Sequence, residues 1–576
     1  MNYKLIENSL NNINSPAETI LKNRGIERWR DYMTLNDSCE YPYNMLDNIG
    51  EAVKCLIKHK ENDSNVHIIV DCDVDGYGSG SMIYRYLNAV GFHNITYSLH
   101  TGKQHGLSDD IIIPEKCELL IIPDAGSNDI EQCKKLKEKG VDIIILDHHI
   151  CDEINPYAIV VNNQMCSYPN KNLCGAGIVY KFLQALDDEL WESYSTDLQD
   201  INALCNISDV MDMREFETSY YVDCGLNKIR SKLLKALLEK QSYSIGNHIN
   251  ITSIQFYITP ILNAMIRIGS PQEKDLLFRA FIETDEVFKY KKRGSTEEVD
   301  EDIYTRAARL CANAKARQAK EVTKGVSEIE NIIEKSKLDK NKILFVNVSG
   351  VLLETLTGLV AMKIAEKYNK PCLVIRRQKE RTDGGLFYGG SCRNFDHSPI
   401  NSLKTFLEST GQFEFVRGHD NAAGVSIDRN CVPIAIDICN KELKDYDFTK
   451  VYQCDFDIDA EDVDISFIKA IDDLKDLFGQ GVKEPLVHIS NIPVTNEETY
   501  VMGKESDSWK LIVNDEVAYV KFKVDTCSDA IINNKPENDT TGVYGYIDVV
   551  GTVSMNNYKG ILTPQIIVKD YEFRSV

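Results

Sequence analysis

Between residues 66 and 161 short apolar runs alternate with segments whose apolar residues recur every three or four positions. Val66–Val70, Ile95–Leu99, Leu119–Ile122, Ile143–Leu146 and Ala158–Val161 predict strands, with helices at Gly80–Val90 and Asp129–Lys139. Runs apolar at every position fit strands buried on both faces, so the alternation reads as a βαβ series with a parallel sheet. Residues 1–60 read as a polar helical extension, with helical spacing over Met45–Ile57. The parallel-sheet domain takes 61–270 and a long helical connector 271–335. A second α/β unit spans 336–450, with strands at Lys342–Val348 and Pro371–Ile375 around a helix at Leu356–Tyr368. Residues 451–576 are β-rich, with strands near Leu486–Ser490, Leu511–Val513, Ala518–Val524, Val543–Val553 and Gln565–Val568. They predict a small barrel.

The chemistry lies in what ends the apolar runs. Val66–Val70 runs into Asp71, Asp73 and Asp75 at alternate positions, followed by Gly76, Gly78 and Gly80. On an extended chain such acids point to one side. Leu119–Ile122 is followed by Pro123-Asp124-Ala125-Gly126, Ile143–Leu146 by Asp147-His148-His149, and Leu204–Ile207 leads into Ser208-Asp209. Open α/β sheets bind ligands beyond the carboxyl ends of their strands. Carboxylates converging there repel one another unless cations sit between them. The pattern therefore predicts a divalent-metal site at the strand tips. An EF-hand fails, because its twelfth position is Met82 and a strand precedes the acids. A dinucleotide fingerprint fails, because Ser81 stands where its third glycine belongs. One acidic tip could be a solvated turn and one His pair a surface feature; several tips on one edge decide for the metal.

At 576 residues the chain should hold several domains, and 43% hydrophobic with 27% charged residues is a globular composition. A net charge of −23 argues against general adhesion to nucleic acid or anionic membrane, though not against a local basic groove. The 17 cysteines include no C-x-x-C pair, which fits a reducing cytoplasm. No apolar run is long enough to span a bilayer, and the first residues are too polar for a signal peptide. Lys370–Lys404 holds seven Lys or Arg against three acids, a positive patch with Arg376, Arg377, Arg381 and Arg393 as phosphate donors. Gly384-Gly385 and Gly389-Gly390 suit either phosphate-binding amides or hairpin turns. Glu297–Asp302 reads as a solvated loop or helix start. Arg306, Arg309, Lys315, Arg317, Lys320 and Lys324 read as the solvated face of a helix or as a basic wall. Asp455, Asp457 and Asp459 read as the exposed face of a strand. Trp509, Lys510, Lys521, Phe522, Tyr544, Tyr546 and Tyr558 could grip a single strand or pack a core.

Taken in order, Asp71-x-Asp73-x-Asp75-Gly76, Asp124-x-Gly126, Asp147-His148-His149 and Asp209 resemble the four motifs of the DHH phosphoesterase superfamily. Further segments resemble its RecJ-type single-strand-specific exonucleases: Leu173–Gly177, Pro260–Ala264 with Arg267, Arg417–Gly424, and Leu477–Gly481 with Glu484-Pro485. The resemblance covers nearly the whole chain from about residue 50. Departures from the family pattern are Met265-Ile266 before Arg267, Cys392 and Asn394 around Arg393, Arg417 for a glycine, and His105 for an aromatic.

The resemblance implies a DHH domain, a DHH-associated domain in 336–450 and an OB-like barrel. It implies two Mn²⁺ or Mg²⁺ ions, with Asp73 and Asp75 on separate ions, Asp124 bridging, and His148 and Asp209 completing the sites. Asp71 and Asp147 are auxiliary and His149 faces the scissile phosphate. Asn263, Arg267, Arg393 and His419 contact substrate. Oxygen and imidazole donors suit these ions, and two of them can activate water for attack on phosphorus. The expected activity is 5′→3′ hydrolysis of single-stranded DNA in repair, recombination or replication. The alternatives are a phosphodiesterase for short oligoribonucleotides or cyclic dinucleotides, and a non-catalytic DNA-binding scaffold. A cytoplasmic monomer is expected, without a membrane, and with a single-strand-binding protein or a helicase as candidate partner. Cutting the chain near residue 450 is expected to leave a folded metal centre that loses its grip on long strands.

Overall fold

A computed structural model describes the chain apart from residues 101, 103, 108–110, 152, 247, 293, 379–385, 397, 496–499, 503–507, 514–517, 523–541 and 559. The chain forms two compact units, one of Tyr3–Ala314 with Gln453–Val576 and one of Lys315–Tyr452. Among the described residues no helix is long and apolar enough to cross a membrane.

The first unit is built on a five-stranded parallel sheet. Its order is Ile95–Leu99, Val66–Val70, Leu119–Pro123, Asp142–Asp147 and Ile159–Asn162. Val66–Val70 and Leu119–Pro123 are buried at every residue, as strands covered on both faces are. Asp71 and Asp124 directly follow two neighbouring strands and Asp147 ends a third, which sets three acids on one edge.

Two expectations about this edge are corrected. Asp71, Asp73 and Asp75 do not lie on one extended segment. The helix Val74–Ala89 starts among them, with Asp73 as its N-cap and Asp75 in its first turn. The glycines that follow the acids lie inside this helix, which packs too closely for side chains at Gly76 and Gly78. A Cβ at Gly76 would stand 2.5 Å from Asp71 Cβ, and one at Gly78 2.1 Å from Cys205 Sγ. Leu204–Ile207 is likewise no strand; it lies in the helix Gln199–Ser208, and Asp209 is its C-cap.

His67 sits in the buried strand Val66–Val70 between two hydroxyls, Thr96 Oγ1 at 2.8 Å from Nδ1 and Ser98 Oγ at 3.0 Å from Nε2. Burial lowers its pKa to about 4. The unfolded chain therefore binds this proton first, and stability present above pH 6.5 is lost as pH falls towards 4. At most about 3 kcal/mol is involved. Urea melts across this range should show a shallower acid limb in His67→Gln than in the wild type; equal slopes would refute the assignment.

The β-rich region forms a seven-stranded sheet. Its order is Phe456–Asp459, Val487–Thr495, Val543–Tyr558, Ile561–Ser575, Ala518–Phe522, Ser508–Val513 and Tyr500–Met502. Tyr544 is buried and Tyr546 is 39% exposed. The side chains of Trp509, Lys510, Lys521, Phe522 and Tyr558 lie outside the described residues. This sheet shares one apolar core with the parallel-sheet region, through Phe456, Ile458, Phe467 and Phe478 on one side and Met213 and Ile251 on the other. Met213 N donates to Gln480 O at 2.8 Å, and a Cβ at Gly479 would come within 2.9 Å of Met213. Cutting near residue 450 would open this core, contrary to the expectation of an intact remainder.

Asp455 is also not on an exposed face. It is 1% exposed, and Arg24 grips both its oxygens at 2.7 and 3.0 Å. Glu298–Asp302 forms a hairpin strand against Val287–Lys291 rather than a loop or helix start. Arg309 pairs with Glu301 of that hairpin at 2.7 Å and lies over Tyr290, while Arg306 lies over Phe288. Neither leaves a free basic wall.

The second unit holds a five-stranded sheet in the order Phe413–His419, Ala422–Asp428, Phe387–Arg393, Cys372–Arg377 and Leu344–Asn347, with a helix at Thr357–Tyr368. Gly389 and Gly390 lie inside a strand rather than a hairpin turn, and a Cβ at Gly390 would strike Val374 O at 2.0 Å. Arg381 and Gly384-Gly385 lie outside the described residues.

Candidate metal centre

Each acid of the sheet edge is held by a different backbone device. Asp73 accepts from Gly76 N at 3.0 Å as the helix cap. Asp75 accepts from Gly175 N at 2.6 Å and Ala176 N at 2.9 Å, at the start of the helix Gly175–Leu190. Asp124 takes a left-handed conformation, φ 64°, which turns the chain sharply off its strand. It packs so closely on Gly175 that a Cβ there would lie 2.4 Å from its own. Asp147 receives His148 N at 2.7 Å, His149 N at 3.1 Å and His149 Nδ1 at 2.8 Å on Oδ1, and Ser127 N on Oδ2.

These devices bring together all eight acids and histidines expected in the core. Asp71, Asp73 and Asp124 place one oxygen each within 4.8 Å of one another, and so do the ligand atoms of Asp75, His148 and Asp209. Asp124 joins the two groups, with His148 Nε2 3.3 Å from its Oδ1. His148 Nε2 also lies 3.5 Å from Asp209 Oδ2. Asp71 is bonded by His105 Nδ1 at 2.6 Å and Gly106 N at 3.1 Å.

The electrostatics are those of crowded anions. Burial, then the charges of Asp71 and Asp75, push the Asp73 carboxyl up to about 6. Burial, then Asp75 and Asp73, push Asp124 and Asp209 well above the carboxylate range. Asp147 behaves oppositely: burial disfavours its charge, but the hydrogen bond and charge of His149, the charge of His148 and the bond from Ser127 together lower it. Burial works against a charged His149, yet Asp147 raises it to about 9.

The donor set fits a pair of hard divalent cations. Asp124 Oδ1 is buried and accepts no hydrogen bond. The donors are carboxylates and imidazoles, which suit Mg²⁺ and Mn²⁺. A thiol, Cys72, lies only at the margin, beside His105 at 3.8 Å.

Of the expected substrate residues, Asn263 and Arg267 lie on the helix Thr259–Ile268. Thr259 Oγ1 meets Ser208 Oγ at 2.8 Å, which ties this helix to the one ending at Asp209. Arg267 is near enough to Asp73 for their charges to interact. Arg393 and His419 belong to the second unit. Two buried residues at the site escaped the sequence reading. His100 Nε2 is 3.7 Å from Asp71 Oδ1, and Lys274 is 5% exposed with a charge that acts on His100. The signal for His100 was its place one residue past the run Ile95–Leu99, the same strand-tip position as Asp71.

Residues 65–205 match the DHH family, N-terminal domain, and residues 454–570 match the RecJ OB domain. The Bacillus subtilis SPbeta prophage protein YorK, named as a single-strand DNA-specific exonuclease, is 39% identical over 575 residues, covering 99% of this chain and 98% of YorK. The chain belongs to the RecJ-type single-strand-DNA-specific exonuclease family. The RecJ of Bacillus subtilis is 26% identical over 526 residues, covering 85% of this chain and 61% of that one. The crystal structure of Thermus thermophilus RecJ in complex with Mn²⁺ superposes with a TM-score of 0.70 at 17% identity, covering 99% of this chain and 78% of that one. A second structure of that RecJ carries Mg²⁺. At these identities the superpositions show a shared RecJ fold.

Proposed function

We propose that the chain is a metal-dependent exonuclease that hydrolyses the phosphodiester bonds of single-stranded DNA, 5′→3′. One observation carries the reading: acids from two strand ends and two helix ends converge at Asp124, whose buried Oδ1 accepts no hydrogen bond. Mn²⁺ or Mg²⁺ would be held by Asp73 with Asp71 and by Asp75 with His148 and Asp209, with Asp124 between them. When bound, such a pair supplies Lewis-acid charge for the phosphate and lowers the pKa of water. The chain's own residues do the rest. Asp147 fixes His149 through Nδ1, which leaves Nε2 on the far side of a half-exposed ring to donate to a phosphate oxygen. Asn263 and Arg267 hold the strand beside Asp73.

The deciding assay follows end-labelled DNA and RNA with and without Mn²⁺. Metal-dependent release of nucleotides from the 5′ end of single-stranded DNA supports the reading. Preference for short oligoribonucleotides would favour the phosphodiesterase alternative, and binding without cutting the scaffold.

Arg393→Ala and His419→Ala should weaken substrate use and leave the metal centre loaded. A charge-assisted hydrogen bond contributes about 1.5–3 kcal/mol, so apparent affinity should fall about tenfold or more. Calorimetric metal binding should stay unchanged. Loss of metal would place these residues in the core instead.

A further inference from the structure

The sheet of the second unit has one face packed and one partly open. Leu373, Cys392, Val416, Ala423 and Val425 fill the packed face. On the other face the helix Thr357–Tyr368 covers the inner strands. Thr357 Oγ1 lies 3.0 Å from Ser391 Oγ, and a Cβ at Gly358 would stand 2.5 Å from the Arg393 guanidinium.

The strand register extends this face to the sheet edge. His419 pairs with Ala422 and Ala422 with Arg393; Arg417 pairs with Gly424 and Gly424 with Ser391. Directly paired residues share a face, and so do alternate residues of one strand. Arg417, His419, Ser391 and Arg393 therefore stand on one side, around a floor of Gly424 and Ala422. That floor is open: a Cβ at Gly424 would meet only two backbone oxygens, both at 3.8 Å. Arg417 is exposed and rests its guanidinium 5.1 Å from the Phe415 ring centroid. One acid reaches the same side a row away, Glu414, whose carboxylate accepts from Ser426 Oγ at 2.8 Å.

A cation on an edge strand can also serve to deter strand pairing. Any position along the edge would do for that. Arg417 instead stands across an empty lane from Ser391, in the row beside His419 and Arg393.

We propose that Arg417 is a further phosphate-binding residue, which with Arg393 on the opposite side holds the backbone of single-stranded DNA along the lane over Gly424 and Ala422. This rests on the exonuclease reading above. An arginine offers paired donors that match phosphate oxygens, and Phe415 beneath it keeps the fork extended.

The test uses the full chain carrying Asp124→Asn, so that the strand is not cut, and a labelled oligothymidylate over a salt series. Arg417→Gln should lower the slope of log affinity against log salt by about 0.7, the value for one phosphate contact on a single strand. Affinity at low salt should fall roughly tenfold. Arg417→Lys should keep the slope. An unchanged slope and affinity in Arg417→Gln, while Arg393→Ala loses both, overturns this inference alone. No effect of either variant removes this face from the substrate path and overturns the inference along with the roles given to Arg393 and His419. A parent chain that does not bind the oligonucleotide overturns the exonuclease reading and this inference with it. Should Arg417→Gln melt early, Arg417→Met is read in its place.

Discussion

Asp124→Asn should abolish hydrolysis of single-stranded DNA while the protein stays folded. The loss expected is on the order of 10³-fold or more, since a metal's charge supplies several kcal/mol to the transition state and each 1.36 kcal/mol is tenfold. Asp124 is the cleanest of the acids to test. Both oxygens of Asp75 hold the amides that start the helix at Gly175, so Asp75→Asn also disturbs local structure. Asp124 Oδ1 has no such duty. Because burial and then its neighbours Asp75 and Asp73 disfavour its charge, the neutral amide should raise the melting temperature of the metal-free protein. It should at the same time lose the further rise that Mn²⁺ gives the wild type. Melting curves with and without Mn²⁺, read beside turnover of labelled DNA, separate these effects. Near-normal turnover in this variant would remove Asp124 from the metal centre.

Arg24→Met should be the most destabilising single change away from the metals. Asp455 is buried, and Arg24, Asn23 and the Leu486 amide all donate to it. Removing one partner of a buried pair costs about 3–5 kcal/mol, because the carboxylate is left without its counter-charge. That is a large share of the roughly 5–15 kcal/mol that typically stabilises a domain. Replacing both partners with apolar residues, Arg24→Met with Asp455→Leu, should recover much of the loss. Urea denaturation of the two variants gives both numbers. A cost below about 0.5 kcal/mol for Arg24→Met, the range of ordinary surface changes, would show that the pair is not buried in solution.

The parallel sheet was legible because its central strands are apolar runs, broken only at His67, that lead into acids. Asp73 and Asp75 were placed on the right edge by the wrong conformation. Gly76 and Gly78 lie in a helix pressed against Asp71 and Cys205, where a side chain would not fit. What they report is close packing, a tertiary fact that local pattern does not carry. Asp209 was recognisable by motif order, but its helix was not, since a four-residue apolar run fits a buried helix as well as a strand. Asp455 misled for a related reason. Alternating acids indicate a solvated strand face unless a cation far away in sequence, here Arg24, comes to meet one of them. Glu298–Asp302 is a strand of acids, poor in intrinsic preference, which holds because Arg309 and the partner strand neutralise and pair it.

The catalytic unit is interrupted in sequence: residues 315–452 form a separate body between its two parts. Chain growth on a ribosome runs at roughly 5–20 residues per second, so residues 315–576 take on the order of 10–50 s to make. During that interval the DHH motifs already exist, but Met213 and Ile251 have no Gly479 to pack against and Arg24 has no Asp455. The inserted body carries a sheet and an apolar core encoded within its own residues, so its core is fully synthesised before the last part is made. The part of the nuclease whose motifs are translated first is therefore the part completed last.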